Sequence, residues 1–135
     1  MCEESHSCAL LADSHHHLTE GVRGLLETEF KTVVTVADEA SLLEGVGRLR
    51  PDVAVVDISL AQDSNLGWLR EVRRRCPELK VIVLSVHDEE SVRRAALGAG
   101  ADAFVLKRAI VTDLLPAIAR VRGENPPPET EDLAS

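Results

Sequence analysis

The sequence predicts a single α/β domain, a doubly wound five-stranded parallel sheet flanked by five helices. Short apolar runs alternate with stretches of helical period, the pattern of βα units joined by right-handed crossovers. The runs are continuously apolar rather than alternating, as expected of strands covered on both faces. A chain of 135 residues, 44% hydrophobic and 28% charged, can bury one sizeable core and leaves little room for a second domain.

The first run is CALLA at residues 8–12, which reads as a buried strand ending in Asp13 and Ser14. From His17 the period changes. Leu18, Val22, Leu25 and Leu26 fall at i, i+4, i+7 and i+8, one stripe of an amphipathic helix. Residues 31–37, KTVVTVA, are rich in β-branched side chains and predict the second strand. Residues 38–49 carry Ala40, Leu43, Val46 and Leu49 at helical spacing, and Arg50 with Pro51 stops that helix.

The stretch PDVAVVDISL, residues 51–60, supplies the third strand and sets Asp57 at its carboxyl end. In open α/β sheets the ligand crevice lies beyond the carboxyl ends of the strands, so Asp57 is a candidate site residue. An Asp there can equally cap the loop or helix that follows. After a polar loop at 59–65, Leu66, Leu69 and Val72 begin a helix that ends near Cys76 and Pro77. Trp68 is expected to be partly buried on it. The triplet Arg73, Arg74 and Arg75 reads as a solvated helix face rather than a phosphate-binding patch.

KVIVLS at 80–85 is the fourth strand, ending in a hydroxyl. Residues 87–99 predict the fourth helix, with Asp88, Glu89 and Glu90 in its first turn and Gly98 and Gly100 at its stop. AFVL at 103–106 is the fifth strand and leads into Lys107. The fifth helix spans residues 110–122, and Pro116 inside it is expected to kink it or shift its start.

Residues 1–7 read as an N-terminal extension, 8–122 as the domain, and 123–135 as an acidic, Pro-rich disordered tail or linker. The formal charge is −8, and the tail's four acids leave −4 on the rest, a balance that argues against contact with nucleic acid or anionic membrane. Cys2, Cys8 and Cys76 lack framework spacing and read as reduced thiols of a cytoplasmic protein. No apolar run approaches the roughly 18 residues that a membrane span needs. His15, His16 and His17, with His6, Cys2 and Cys8, offer transition-metal ligands, but adjacent histidines at a helix start point in different directions, which favours a structural or pH-sensing role.

Aligning the carboxyl ends of strands one, three, four and five gathers Asp13 with Ser14, Asp57, Ser85 and Lys107. Two carboxylates, two hydroxyls and an ammonium in one crevice suit phosphoryl transfer to a carboxylate. Asp57 is the nucleophile, a hard cation sits among oxygen ligands, and a hydroxyl and Lys107 meet the phosphoryl oxygens.

From Cys8 to Arg122 the chain resembles a response-regulator receiver domain of the CheY-like, flavodoxin-like fold. The segments LLADSHHHLTEGV, PDVAVVDISL, VIVLSVH and GADAFVLKRA resemble the NarL/FixJ (LuxR-type) transcriptional regulators in particular. The resemblance implies Asp57 as phosphoacceptor, Ser85 as switch hydroxyl, Phe104 as switch aromatic and Lys107 as the phosphate-pairing base. It implies Mg²⁺ held by Asp13, Asp57 and the backbone carbonyl of Ser59, a sensor histidine kinase as partner, and no enzyme activity beyond self-catalysed aspartyl phosphorylation and dephosphorylation. The surface of helix four, strand five and helix five is then the switched face, through which such domains dimerise or release an output domain that controls transcription.

Three positions depart from the family pattern. Ser14 stands where a second metal-binding acid is usual, so it would hold Mg²⁺ weakly or through water. Ala61 replaces a proline, and Asn65 replaces a glycine that adopts the left-handed conformation. The alternative reading is therefore a pseudo-receiver, a phosphorylation-independent interaction module.

Overall fold

The computed structural model describes residues 8–13, 16–60, 66–86 and 88–121. The expected extension at 1–7, Ser14, the side chains of His15 to His17, Ala61, Asn65, His87 and the expected tail lie outside the described residues.

The chain runs β1 (Cys8–Ala12), α1 (His16–Glu27), β2 (Thr32–Val36), α2 (Glu39–Leu49), β3 (Val53–Asp57), α3 (Gly67–Arg75), β4 (Lys80–Ser85), α4 (Glu90–Gly98), β5 (Ala103–Leu106) and α5 (Ile110–Val121). Single 3₁₀ turns at Ile58–Leu60 and Lys107–Ala109 follow β3 and β5. All five strands are parallel, in the order β2-β1-β3-β4-β5.

Every residue of β1 and β3 is buried, as their unbroken apolar sequences predict. Alternate side chains feed two cores. Leu10, Ala12, Ala54, Val56, Val81 and Val83 join Leu42 and Val46 of α2, Trp68, Leu69 and Val72 of α3, and Ala96 of α4. On the opposite face Leu11, Val53, Val55, Ile82 and Leu84 meet Val22 and Leu26 of α1 and Ile110, Leu114, Ala117 and Ile118 of α5. Full burial of each such Val, Leu or Ile stabilises the fold by about 1.5–3 kcal/mol before entropy is counted.

Asp38 caps α2, its carboxylate accepting from the Ser41 amide at 2.7 Å, a contact that lowers its pKa. Arg50 ends α2 in the left-handed conformation at φ 49°, and its N–H reaches the Val46 carbonyl.

Several sequence expectations are corrected. Arg73 is no solvated residue: its guanidinium donates to the Gly100 carbonyl at 2.7 Å, to the Pro77 and Leu79 carbonyls, and to the Asp102 carboxylate. Asp102 in turn accepts from the Val81 amide at 2.9 Å, so one side chain fastens the end of α3 to the starts of β4 and β5. Gly100 makes the approach possible, for a Cβ there would lie 2.8 Å from Cγ of Arg73 and its φ is +123°. Only Arg74 and Arg75 form an exposed face, both paired with Glu71.

Helix α4 starts at Glu90, three residues later than expected, because Asp88 is drawn away to Arg108 at 3.0 Å. Of the three acids expected in its first turn only Glu90 is there. Trp68 is almost fully buried, with 2% of its surface exposed. The left-handed residue seen before α3 is Leu66, at φ 59°. Pro116 does not delay α5, which runs through it from Ile110. Four buried apolar residues hold α5 to the sheet and offset the backbone bond that proline cannot make.

Candidate functional site

The buried polar or charged residues among the described ones are Asp13, Asp57 and Ser85, and all three stand at carboxyl ends of strands. Burying such groups is costly unless they are paired, so their concentration on one edge marks a built site rather than chance. The parallel register aligns Ala12 with Val56, which sets Asp13 beside Asp57 one step further on. Asp57 aligns with Leu84, so Ser85 stands one step beyond it on the neighbouring strand.

Lys107, at the head of the 3₁₀ turn after β5, extends across the edge. Its Nζ lies 2.7 Å from Oδ2 of Asp57 and 3.5 Å from Oδ2 of Asp13, and its side chain is 8% exposed. One ammonium therefore joins the two carboxylates in a largely buried crevice.

The carboxylate of Asp57 is further oriented by the turn that follows it. Oδ1 accepts from the Ser59 backbone N–H at 3.1 Å, and Oδ2 accepts from the Ser59 hydroxyl at 3.0 Å. The capping reading of Asp57 is borne out, and the same carboxylate that caps the 3₁₀ turn faces the crevice. Burial pushes its pKa up, but the bonds from Lys107 and Ser59 outweigh this, and the carboxyl ends below its ordinary value.

The structure brings together Asp13, Asp57 and Lys107 and places Ser85 on the same edge. Phe104 lies on β5 beside Val83, half-buried, and packs against the core that includes Ala96 of α4. Ser59 neighbours the acid through both its amide and its hydroxyl. Its side-chain bond escaped the sequence reading; a hydroxyl two residues after an acid is the usual sign of such a local turn. Ser14 lies outside the described residues.

Mg²⁺ fits this donor set. Both carboxylates are hard oxygen ligands at adjacent strand ends, and Mg²⁺ commonly takes one or two carboxylates, completing its shell with water and phosphate oxygens. No helix of the described residues is long and apolar enough to cross a membrane.

A buried acid pair bridged by a lysine at the carboxyl edge of a five-stranded parallel sheet defines a receiver-type domain. The chain belongs to the response regulator receiver domain family, whose model matches residues 9–119. Among curated relatives it is similar to the transcriptional regulatory protein DegU of Brevibacillus brevis, 33% identical over 111 residues, 81% of this chain and 47% of that one. It is 34% identical to the nitrate/nitrite response regulator protein NarP of Escherichia coli (strain K12), over 81% of this chain and 52% of that protein. The signal receiver domain of the putative response regulator NarL from Mycobacterium tuberculosis superposes with a TM-score of 0.77 at 27% identity, covering 90% of this chain and 99% of that one. The chain spans about half the length of the curated relatives it matches.

Proposed function

We propose that Asp57 accepts a phosphoryl group from the phosphohistidine of a sensor histidine kinase, and that the phosphorylated crevice switches the surface formed by α4, β5 and α5. The observation that carries this reading is the buried Asp13–Lys107–Asp57 cluster. The bonds from Lys107 and Ser59 hold Asp57 in its ionised form, the form that can attack phosphorus.

Oδ1 accepts from the Ser59 amide and Oδ2 from the Ser59 hydroxyl and the Lys107 ammonium, which orient the carboxylate, and an oxygen of Asp57 is the attacking atom. As its bond to phosphorus forms, the donor's P–N bond breaks and the electron pair stays on the imidazole nitrogen. Lys107 then meets the phosphoryl oxygens, and the Ser85 hydroxyl closes on another. Asp13, Asp57, the Ser59 carbonyl and, more weakly or through water, Ser14 would hold Mg²⁺, which would neutralise charge on those oxygens when bound.

Ser85 lies one residue from the loop that enters α4, while Phe104 packs against the core beneath that helix. Movement of this pair is the route from the crevice to the α4–β5–α5 face. That face is where a second copy docks in a homodimer, and control of transcription passes through parts of the protein beyond the receiver. The names of the relatives, a transcriptional regulatory protein and a nitrate/nitrite response regulator, support this direction.

The test is intact-mass measurement after incubation with Mg²⁺ and acetyl phosphate, or with a phosphorylated histidine kinase. A gain of one phosphoryl group is expected, and Asp57→Asn abolishes it. No gain with any donor, together with partner binding unchanged in Asp57→Asn, overturns the proposal in favour of the phosphorylation-independent module.

A further inference from the structure

Strand β5 lies at an edge of the sheet and pairs with β4 alone. Its sequence, AFVL, is apolar at every position, and only Val105 is buried. A strand is ordinarily locked in register because a slip of one residue turns its apolar side chains to water. Here such a slip exchanges Ala103 and Val105 for Phe104 and Leu106, apolar for apolar, and the parallel ladder can re-form its backbone bonds one step along. Hydrophobic patterning therefore selects the register of β5 only weakly.

The polar residue before the strand selects it more sharply. Asp102 meets Val81 of β4 twice: its N–H donates to the Val81 carbonyl at 2.8 Å, and its carboxylate accepts from the Val81 N–H at 2.9 Å. Both backbone groups of one β4 residue are thus engaged by Asp102. The Arg73 guanidinium pairs with the same carboxylate while donating to the Gly100 carbonyl at 2.7 Å and to the Leu79 carbonyl. With side chains 22% and 29% exposed, this pair is partly buried and salt screens it less than a surface pair.

At its other end β5 leads directly into Lys107. A slip of one residue moves the root of Lys107 about 3.3 Å along the strand and turns its side chain to the opposite face, away from Asp57 and Asp13. The two carboxylates and the Asp102 contacts thus hold opposite ends of one short strand, and only the native register satisfies both.

We propose that the Arg73–Asp102 pair is a register pin for β5 that delivers Lys107 to the crevice for the chemistry at Asp57. The catalytic consequence rests on the proposed phosphoacceptor role of Asp57, whereas the pin itself does not. Arg73 and Asp102 touch none of the reacting atoms and are positioning residues.

The experiment is residue-resolved hydrogen exchange on the full chain without phosphodonor, for wild type, Arg73→Ala, Asp102→Ala and Asp102→Asn. In both alanine variants exchange of residues 103–106 is expected to quicken about tenfold, the scale of one lost hydrogen bond to a charged group, while β2 at the other edge keeps its rate. Cross-strand proton contacts between Ile82 and Ala103, partners in the native register, weaken with it. Asp102→Asn keeps a side-chain oxygen for the Val81 N–H and for Arg73, so it returns most of the protection. Unchanged exchange in β5, an equal quickening in β2, or an asparagine variant no better than alanine overturns the pin.

Phosphorylation by acetyl phosphate with Mg²⁺ is then followed in the same proteins and in Lys107→Ala. A rate in Asp102→Ala between those of wild type and Lys107→Ala, largely recovered in Asp102→Asn, supports the delivery of Lys107. A wild-type rate overturns it, and so does a rate below that of Lys107→Ala, because a residue acting through Lys107 cannot matter more than Lys107 itself. If wild type gains no phosphoryl group, the role of Asp57 fails while exchange still decides the pin.

Discussion

Asp57 carries a consequence for stability as well as for chemistry. Its carboxyl is buried, which opposes ionisation, yet Lys107 and Ser59 bring its folded pKa below the ordinary 3.8. A depressed folded pKa means that the charged form stabilises the fold. That contribution is complete above pH 3.8 and is lost as pH falls below it, through the folded value. Urea titrations from pH 7 downward are therefore expected to show wild type losing stability faster than Asp57→Asn below pH 3.8. The difference amounts to about 1.4 kcal/mol for each unit of depression. Parallel curves would show that the Lys107 and Ser59 bonds do not favour the carboxylate. The residues that the sequence exposes best are those whose position follows from a strand end: Asp13, Asp57, Ser85 and Lys107. Arg73 was hidden because its role depends on where a helix end lands. The first arginine of the triplet points at the Gly100 carbonyl, 27 residues away, which a local pattern of charge does not reveal.

The elements themselves were legible because each had a distinct period, and the mismatches arise where one residue competes with that period. Asp88 is sequestered by Arg108, which delays α4, and Pro116 is tolerated where a proline usually ends a helix. Pro116 is exposed, so nothing in the core requires its ring. It lies seven residues into α5, where its missing N–H leaves the Thr112 carbonyl without its helical donor. A helix-interior proline costs about 3 kcal/mol relative to alanine, and alanine's looser unfolded chain returns about 0.4–1 kcal/mol of that. Pro116→Ala is expected to raise unfolding free energy by about 2 kcal/mol, read as a higher midpoint in thermal or urea denaturation. A midpoint at or below that of wild type would mean that the ring packs against neighbours or that α5 has relaxed around it.

On the scale of the whole molecule, the sequence announced strands and helices but not the order in which the strands lie. That order, with β1 between β2 and β3, comes from which faces must be buried together, and it is what puts Asp13 beside Asp57. It also makes β1 the shared wall of both cores. Leu10 and Leu11 are adjacent and fully buried, yet Leu10 packs with the α2–α3 layer and Leu11 with the α1–α5 layer. Leu10 is fitted closely, for a Cβ on Gly45 would stand 3.3 Å from its Cδ2. Each Leu→Ala change removes contacts on one face only and is expected to cost about 2–5 kcal/mol. If the two layers fold as one unit, each variant shifts a single urea transition, followed equally by Trp68 fluorescence and by helical circular dichroism. Trp68 lies in the Leu10 layer, so the Leu11→Ala variant is the sharper case: a change on the far side of the sheet moves the Trp68 midpoint as much as the helical one. Separate midpoints for the two probes in Leu11→Ala would show instead that the sheet insulates its two layers, and that a signal from the crevice need not reach both.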